Sequence, residues 1–394
     1  MSAPAPATLV VSDLHLGTRV GVDLLRAPAV LETLLAELSG VQRLVLLGDV
    51  IELRTGPQRQ ALEAARPVLC ALGAAVEEVV VVPGNHDHAL VAPWLEQRAG
   101  EDPDGLGAEQ LIGAGQASPL GAALADALRP AATTFAYPGL WLAPGVYAMH
   151  GHYVDRHLTL PAFERLGLGL VERYLAGPAA RRPGSAGYEA VHAPLYALLD
   201  ALAQQREPSG DAERPGASVR TWRRLARGER RLAPSTLALR VGVGLGVAAL
   251  NRAGMGPLSP RLGAPELRQA VLAAAGEVTG RLGIDADHVL FGHSHRPGPL
   301  PGDSPQEWRT PSGSRLHNAG SWVYQPHFLT HVGPNPFWPG GALRLPACGA
   351  PVLRRLLIGW GRAELTDAVA EVREAQAAER GMGGRALRSR PRRA

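Results

Sequence analysis

Residues 79–87 read Val-Val-Val-Val-Pro-Gly-Asn-His-Asp, a β-branched run that leads directly into a group of polar side chains. Such a short run, ending at Pro and Gly, predicts a buried strand followed by a tight turn. Asn85, His86 and Asp87 would then lie at the carboxyl end of that strand. In open α/β sheets, ligands bind outside the carboxyl ends of the strands, so this stretch predicts both a strand and a site.

Four other segments follow the same plan, with an apolar run that ends at a histidine or an aspartate. Each run reads as a short buried strand, and a sheet can bring strands that are distant in sequence to one edge. The five segments therefore predict a single site. The runs and their polar residues are 9–11 before Asp13 and His15, 44–47 before Asp49, 146–149 before His150 and His152, and 289–291 before His293 and His295.

The polar residues of these segments offer nitrogen and oxygen ligands, and no cysteine lies among them. This set disfavours a thiolate zinc site and suits Mn, Fe, Zn and similar ions. Asp49 stands alone after its strand, and a carboxylate has two oxygens that can bridge two cations. Two ions about 3.5 to 4 Å apart can clamp the attacking and leaving oxygens of a displacement and activate a water. The segments thus predict a hydrolase of phosphate esters or anhydrides.

The ordered motifs Asp-x-His, Gly-Asp, Gly-Asn-His-Asp, His and Gly-His-x-His resemble the pattern of the calcineurin-like metallophosphoesterase superfamily. The resemblance covers about residues 7–156 and 285–325, and no ligand position is substituted. It implies an α/β fold, a four-layer α/β/β/α sandwich, with two divalent metal ions and a metal-activated hydroxide. Mn²⁺ is the expected ion, with Fe, Zn, Ni or Co as alternatives.

The resemblance also implies a role for each motif residue. It gives two ligand sets that share Asp49, namely Asp13, His15 and His295 for one ion and Asn85, His150 and His293 for the other. His86 would not be a ligand. It would stabilise the transition state or protonate the leaving oxygen, with Asp87 fixing its tautomer, and such an acid contributes about 10²- to 10⁴-fold.

Several residues beside the motifs have two interpretations. Glu52 is either an orienter of a metal ligand or a solvated glutamate at a helix start. Arg19 is a candidate phosphate clamp, because guanidinium matches phosphate oxygens bidentately, or else a surface charge. His152 is a candidate for substrate binding or for a structural role. Asn318 either lines the site or shapes a loop, and Tyr153, Asp155 and Arg156 are candidates to line the pocket.

The strand and helix patterns divide the chain into three zones. From residue 7 to 156 strands alternate with helical patterns, which predicts β-α-β units. Strands return between 284 and 360 without a long helix between them, which suggests antiparallel pairing. We predict a discontinuous phosphoesterase domain over 1–156 and 284–365, a helical insertion or cap over 157–283, and a C-terminal helix with a basic disordered tail over 366–394.

The insertion enters after His150 and leaves before His293, so we expect it to cover the site. Its helical patterns have apolar faces at Phe163, Leu166, Leu170 and Tyr174 and at Val191, Leu195, Leu198, Leu199 and Leu202. Further on, six arginines between 220 and 231 precede an apolar stretch that Arg240 and three glycines interrupt. The segment 217–255 is therefore either a buried cap helix or an interfacial helix that contacts anionic lipid.

Composition sets the frame for these predictions. At 394 residues, 46% of them hydrophobic, the chain fits one large α/β domain with an insertion. A net charge of +4 gives no nucleic-acid footprint. The first residues show no charged n-region followed by an apolar h-region, so we expect no export by a conventional signal, and the two cysteines suggest no disulfide framework. We predict a cytoplasmic protein, with peripheral contact to the inner face of the membrane as an extension of that prediction.

Selectivity in this superfamily comes from loops and caps, so the sequence predicts only a phosphomonoester, phosphodiester or pyrophosphate, small or lipid-linked. We expect neither a nucleic acid nor an obligate protein partner. The insertion is similar to that of UDP-2,3-diacylglucosamine pyrophosphohydrolases, but many of these have Arg where His86 stands, which favours a general phosphoesterase. The alternatives are a membrane-associated lipid- or nucleotide-linked pyrophosphohydrolase, a superfamily nuclease that uses the arginines at 220–231, and a non-catalytic scaffold.

Overall fold

The computed structural model describes both predicted parts of the phosphoesterase domain and part of the insertion. The arginines at 220–231 and the end of the tail at 389–394 lie outside the described residues, so the predictions about them stay untested. The described residues are 6–160, 162–205, 245–252, 254, 256–259, 264–326, 328–329, 335–347 and 349–388.

Within the described residues, ten strands form one mixed sheet. The five strands predicted before the motifs are all present, and each begins within one residue of its predicted start. In chain order the strands are β1 (Thr8–Val11), β2 (Arg43–Leu47), β3 (Glu78–Val82), β4 (Glu109–Gly113), β5 (Ala132–Ala143), β6 (Val146–Met149), β7 (His288–Phe291), β8 (Arg315–Asn318), β9 (Gly341–Leu345) and β10 (Val352–Arg355).

The long strand β5 joins two groups of parallel strands. β1, β2 and β3 form one group, and β6, β7 and β8 form the other. The first part of β5 pairs with β3 in parallel, and its second part pairs with β6 in antiparallel. β9 and β10 extend the sheet from β1, and β4 pairs with β5. Every motif follows a strand of one of the two parallel groups.

The helices lie outside the sheet and in the insertion. Their ranges are α1 (Pro28–Glu37), α2 (Gln58–Ala75), α3 (Ala92–Glu101), α4 (Ala114–Ala117), α5 (Pro119–Ala127), α6 (Phe163–Val171), α7 (Gly184–Gln204), α8 (Ala264–Arg281) and α9 (Arg362–Arg388), and residues 245–252 are also helical.

The two halves of the sheet pack face to face. One buried cluster contains Val45 and Val80 from one half and Ala148 and Leu290 from the other. In a second cluster, the outer face of the strands β1, β2 and β3 packs against α1, α2, α5 and α9. In a third cluster, β6 and β7 pack against α8. These layers confirm the predicted α/β/β/α sandwich. Because both faces of each half are buried, the strands read as continuous apolar runs.

Two expectations about the second half of the chain are wrong. β7 and β8 pair in parallel, although no long helix joins them. The loop 292–314 is long enough for the crossover, which needs a dozen or more residues of any conformation. Antiparallel pairing does occur between β9 and β10. α9 extends to Arg388, so residues 380–388, expected in the disordered tail, are helical.

The described part of the insertion is mostly helical, but the buried face of α6 is not the predicted one. Leu168 and Val171 are buried, whereas Phe163 is 56% and Tyr174 70% exposed. Leu168 and Val171 lie on the face of α6 that packs against Val191 and Leu195 of α7, and Tyr174 falls in a π-helical turn at Glu172–Ala176.

Only the first half of the predicted apolar face of α7 is buried. Val191 and Leu195 pack with Leu168 of α6 in a small cap core. Leu198 and Leu202 are half-exposed. The buried part of α7 therefore faces both α6 and the phosphoesterase domain.

Candidate metal centre

The motif residues have strained backbone conformations. In the part of the chain that the structure describes, every non-glycine residue with a positive φ lies in one of the motifs. Such conformations are unfavourable for bulky residues and cluster at functional sites. These residues are Asp13 (56°), His15 (47°), Asp49 (52°), His293 (63°) and His295 (58°).

Gly48 shows how closely the motif segments approach one another. Its φ is 85°, and a Cβ at this position would overlap the ring of His150, which follows a different strand. Only glycine fits both conditions. Backbone hydrogen bonds join the neighbouring turns, since Asp13 N–H donates to Gly48 O (3.0 Å) and His15 N–H donates to Asp49 O (2.8 Å). The ligand side chains therefore stand on a fixed backbone.

One group of ligand atoms comes from Asp13, His15 and His295. His295 Nε2 lies 3.2 Å from Asp13 Oδ1 and 3.3 Å from His15 Nε2. Asp13 Oδ1 is buried and, among the described residues, accepts no hydrogen bond of good geometry. A buried carboxylate oxygen beside two imidazole nitrogens is a donor set that a divalent cation satisfies. The three residues fit the first predicted ion.

The second group comes from Asp49, Asn85, His150 and His293. One terminal atom of the Asn85 amide lies 3.2 Å from His150 Nε2, 3.2 Å from His293 Nδ1 and 3.3 Å from Asp49 Oδ2. The other terminal atom lies 3.1 Å from Arg54 Nη1. An amide oxygen faces the other ligands when a cation lies among them, and the amide NH₂ faces them when none does. This donor set also fits a divalent cation.

Asp49 lies between the two groups. Its Oδ2 is 3.6 Å from His15 Nε2 and 3.4 Å from His150 Nε2. Its Oδ1 accepts a hydrogen bond from the His86 N–H (2.8 Å). One buried carboxylate therefore faces a histidine of each group, as a bridging ligand must. The structure brings all the predicted metal ligands together.

Two of the histidines are oriented through the ring nitrogen that faces away from the other ligands. His150 Nδ1 lies 2.9 Å from Leu47 O, and His293 Nε2 lies 2.9 Å from Asp155 Oδ1. A carbonyl or carboxylate acceptor keeps the proton on that nitrogen and leaves the other nitrogen for a cation. Asp155, one of the residues considered for the pocket lining, thus acts on a ligand.

Glu52 connects the ligand His15 to His86. It is only 5% exposed, which rules out the solvated interpretation. Its Oε2 lies 3.0 Å from His15 Nδ1 and 2.9 Å from His86 Nδ1. Glu52 therefore orients a ligand ring and the His86 ring with one carboxylate.

Asp87 was predicted to fix the tautomer of His86, and the contacts of Asp87 correct this prediction. The Asp87 carboxylate accepts hydrogen bonds from the backbone N–H groups of Gly84 (2.6 Å) and Val50 (2.6 Å). Because these bonds use its oxygens, Asp87 holds the turns after β2 and β3 together. Glu52, rather than Asp87, fixes the tautomer of His86.

The charges of the cluster shift the pKa values of its members. Burial alone would lower the pKa of His15, but the hydrogen bond with Glu52 and the charge of Asp49 raise it to about 9. Burial is also outweighed at His150, where the charge of Asp49 raises the pKa to about 10. Burial would raise the pKa of Asp49, but the charge of His150 holds it well below its usual range. A cation must therefore displace protons from these rings.

Two of the three residues predicted to bind substrate are buried and hydrogen-bonded to other protein groups. Asn318 is fully buried, and its Nδ2 donates to Gly292 O (2.7 Å), so it shapes the loop that carries the last motif. His152 is buried too, and its Nε2 lies 3.2 Å from the Tyr137 hydroxyl. The loop interpretation of Asn318 and the structural interpretation of His152 agree with these contacts.

A cleft of about 410 Å³ opens beside Asn85 and His86, between α3 and α7, and is called the α3–α7 cleft below. Arg54 lines it next to these residues, although the sequence did not single Arg54 out. Its side chain is 12% exposed, and its Nη2 has no hydrogen-bond partner among the described residues. In the sequence, only its position five residues after Asp49 could have indicated that Arg54 lies at the site.

Arg19, the predicted phosphate clamp, lies against Gly56, and its role stays a prediction.

A second unpredicted residue, Glu189 of α7, anchors the cap. Its Oε1 accepts hydrogen bonds from the hydroxyls of Tyr137 and Tyr153, both at 2.6 Å, and its Oε2 lies 3.0 Å from His88 Nε2. Burial would raise the pKa of this carboxyl, but the charge of His88 and the hydrogen bonds keep it below its usual range. A buried charge thus ties α7 to the phosphoesterase domain.

The model of the calcineurin-like phosphoesterase family matches residues 7–217, more than half of the chain. The chain belongs to this family, and it is accordingly a metal-dependent hydrolase of phosphoester bonds.

Among solved structures, the chain is similar to the phosphopantetheinyl hydrolase PptH from Mycobacterium tuberculosis, with 15% identity, a TM-score of 0.31 and coverage of 85% of this chain and 95% of that chain. It is also similar to a dimetal phosphatase from Danio rerio, with 14% identity, a TM-score of 0.31 and coverage of 89% of this chain and 99% of that chain. No curated protein matches the sequence.

Proposed function

We propose that the protein hydrolyses a phosphate ester with two Mn²⁺ ions that share Asp49. The position of Asp49 between His15 and His150 carries this proposal. Two such ions lower the pKa of water and neutralise charge on the phosphoryl oxygens. The residues that would hold them are Asp13, His15, Asp49 and His295 for one ion and Asn85, His150, His293 and Asp49 for the other.

His86 supplies the proton in this proposal. Its Nδ1 is held by Glu52, which leaves Nε2 as the nitrogen for substrate. Its side chain is 26% exposed and lines the α3–α7 cleft beside Asn85. The protonated ring donates its Nε2 proton to the ester oxygen as the bond between phosphorus and that oxygen breaks.

Hydrolysis by the chelator-stripped full chain, reloaded with Mn²⁺, tests the proposal. The substrates are bis-p-nitrophenyl phosphate and p-nitrophenyl phosphate, which compare a diester with a monoester. Asp49→Asn is the test variant, and Glu63→Gln, an exposed change on α2, is the matched control.

We expect metal-dependent turnover of at least one substrate. Asp49→Asn should lower it by more than about 10³-fold, because the ligands act as a unit. Glu63→Gln should leave it unchanged. Turnover that survives Asp49→Asn with full activity would contradict the shared-carboxylate mechanism, and a protein that binds no Mn²⁺ would contradict the proposed ion.

A second candidate function is hydrolysis at a membrane surface by a protein bound peripherally in the cytoplasm. Tyr174 and Leu175 of the cap are 70% and 72% exposed, and such side chains suit an interfacial position. Within the described residues, no helix is long and apolar enough to cross a membrane. Flotation with anionic vesicles tests this candidate. Loss of binding in Leu175→Glu would support it, and equal recovery of both proteins away from the vesicles would contradict it.

A further inference from the structure

The α3–α7 cleft has two facing walls of small apolar side chains. On each helix these residues recur with helical spacing, so a continuous face of each helix borders the cleft. One wall consists of Ala92, Leu95 and Ala99 of α3, with Ala89 just before that helix, and the other consists of Ala186, Ala190, Ala193 and Ala197 of α7. These side chains offer apolar contact. Charged side chains also line the cleft, namely Glu96, Arg98, Asp102, Arg182, Glu189 and Asp200.

The end of the cleft beside the metal centre has the opposite character. Tyr196 lines it, is 3% exposed, and has a hydroxyl without a hydrogen-bond partner among the described residues. Arg54 Cζ lies 5.0 Å from the centre of the Tyr196 ring, and its Nη2 is also unpartnered in the described part of the chain. Buried donors without partners are costly, so this end is built for a ligand that accepts hydrogen bonds.

The donors and the alanine walls belong to one continuous cavity that contains the ligand Asn85 and the acid His86. A group bound there has its anionic end at Asn85 and its remaining length between two apolar helix faces. A guanidinium N–H and a phenol O–H are good donors to phosphoryl oxygens.

We infer that the substrate is a phosphate ester of a linear aliphatic alcohol. Its phosphoryl oxygens accept hydrogen bonds from Arg54 Nη2 and the Tyr196 hydroxyl, and its aliphatic chain lies between the alanine faces of α3 and α7. This inference rests on the proposed function, because the metal centre is what holds the phosphoryl group beside these donors.

Direct binding of n-alkylphosphonates to the Mn²⁺-loaded full chain, measured by calorimetry, tests the inference. Methyl-, butyl- and octylphosphonate serve as probes because they cannot be hydrolysed at the phosphorus–carbon bond. Affinity should rise about fourfold per methylene until the cleft is filled. The measurement needs no turnover, so it separates a wrong substrate class from a failure of the hydrolytic proposal, which the p-nitrophenyl substrates report.

Variants on opposite walls locate the chain. Ala193→Phe on α7 and Ala92→Phe on α3 should each abolish the gain with chain length. Ala201→Phe, on an exposed face of α7 outside the cleft, should keep it. Arg54→Gln should lower affinity for all three probes by about tenfold and leave the gain per methylene unchanged.

Equal affinities for methyl- and octylphosphonate, or no binding of octylphosphonate, would overturn the inference. A length dependence that survives both Ala193→Phe and Ala92→Phe would overturn it as well, because the chain would then lie elsewhere. A length dependence lost in these two variants and kept in Ala201→Phe would establish it, whether or not the p-nitrophenyl substrates are hydrolysed.

Discussion

The metal centre and the α3–α7 cleft meet at Asn85 and His86, but they are built in different ways. The metal centre is polar, and its side chains come from turns at the ends of strands in a single sheet. The cleft is largely apolar, and its walls come from two helices. One of these, α7, belongs to the insertion and is held through the buried carboxylate of Glu189.

This difference separates chemistry from stability and selectivity. In the metal centre, the backbone is fixed by the sheet and by bonds such as those of Asp87 to Gly84 and Val50. The ligand side chains stand on this fixed backbone, so we expect their replacement to affect turnover first. Where the cap meets the phosphoesterase domain, side chains such as Tyr153 hold one element against another. Changes there should affect stability or substrate choice first.

After the loss expected for the shared ligand Asp49, the largest effect is expected at the acid. His86→Asn should lower kcat by about 10²- to 10³-fold for a dialkyl phosphate, whose leaving oxygen needs a proton. The loss should be smaller for bis-p-nitrophenyl phosphate, because p-nitrophenolate leaves without one. Steady-state rates on both substrates check this, with bound Mn²⁺ measured as the control. Equal losses on both substrates would assign His86 to charge stabilisation instead.

The next effect is expected at Glu52, which holds His15 and His86 together. Glu52→Gln keeps the shape but removes the charge, and we expect a loss of about 10- to 100-fold in Mn²⁺ affinity or activity. Metal titration followed by rate measurements would separate the two effects. Glu63→Gln is the matched control. Unchanged affinity together with unchanged turnover would show that the carboxylate does not orient the two rings.

Metal binding should depend on pH. In the metal-free protein His15 (pKa about 9) and His150 (pKa about 10) are protonated at neutral pH, and a cation needs their neutral forms. Mn²⁺ affinity should therefore rise from pH 6 to 8, by about tenfold per pH unit for each displaced proton. Calorimetry in buffers of different ionisation enthalpy counts these protons. Binding without proton release would contradict the charge distribution of the cluster.

The smallest effect on turnover is expected where the phosphoesterase domain holds the cap. Tyr153→Phe removes a hydrogen bond to the Glu189 carboxylate and should cost about 1.5 to 3 kcal/mol of unfolding free energy, with turnover nearly unchanged. Denaturant unfolding measures the change. Tyr174→Phe, at an exposed cap residue, is the control and should change stability little. A large loss of turnover with unchanged stability would show that Tyr153 belongs to the metal centre.

The same contrast explains what the sequence could predict. Each metal ligand directly follows a strand, so a local pattern marks both the strand and the ligand, and the sheet brings the ligands together. Glu52 and Arg54 follow Asp49 by a few residues, but nothing local shows which way they point. Glu189 and the alanine faces depend on how α7 docks, which is a tertiary property without a sequence pattern. The face of α6 was predicted wrongly because its packing against α7, another tertiary property, decides which of its apolar residues are buried.

The central claim is that two cations share Asp49. Electron paramagnetic resonance of the Mn²⁺-loaded full chain tests it directly, because two Mn²⁺ ions joined by a bridging ligand give an exchange-coupled signal. We predict this coupled signal for the wild-type protein and its loss in Asp49→Asn, with Glu63→Gln like wild type. A spectrum of isolated Mn²⁺ ions in the fully loaded wild-type protein would contradict the claim.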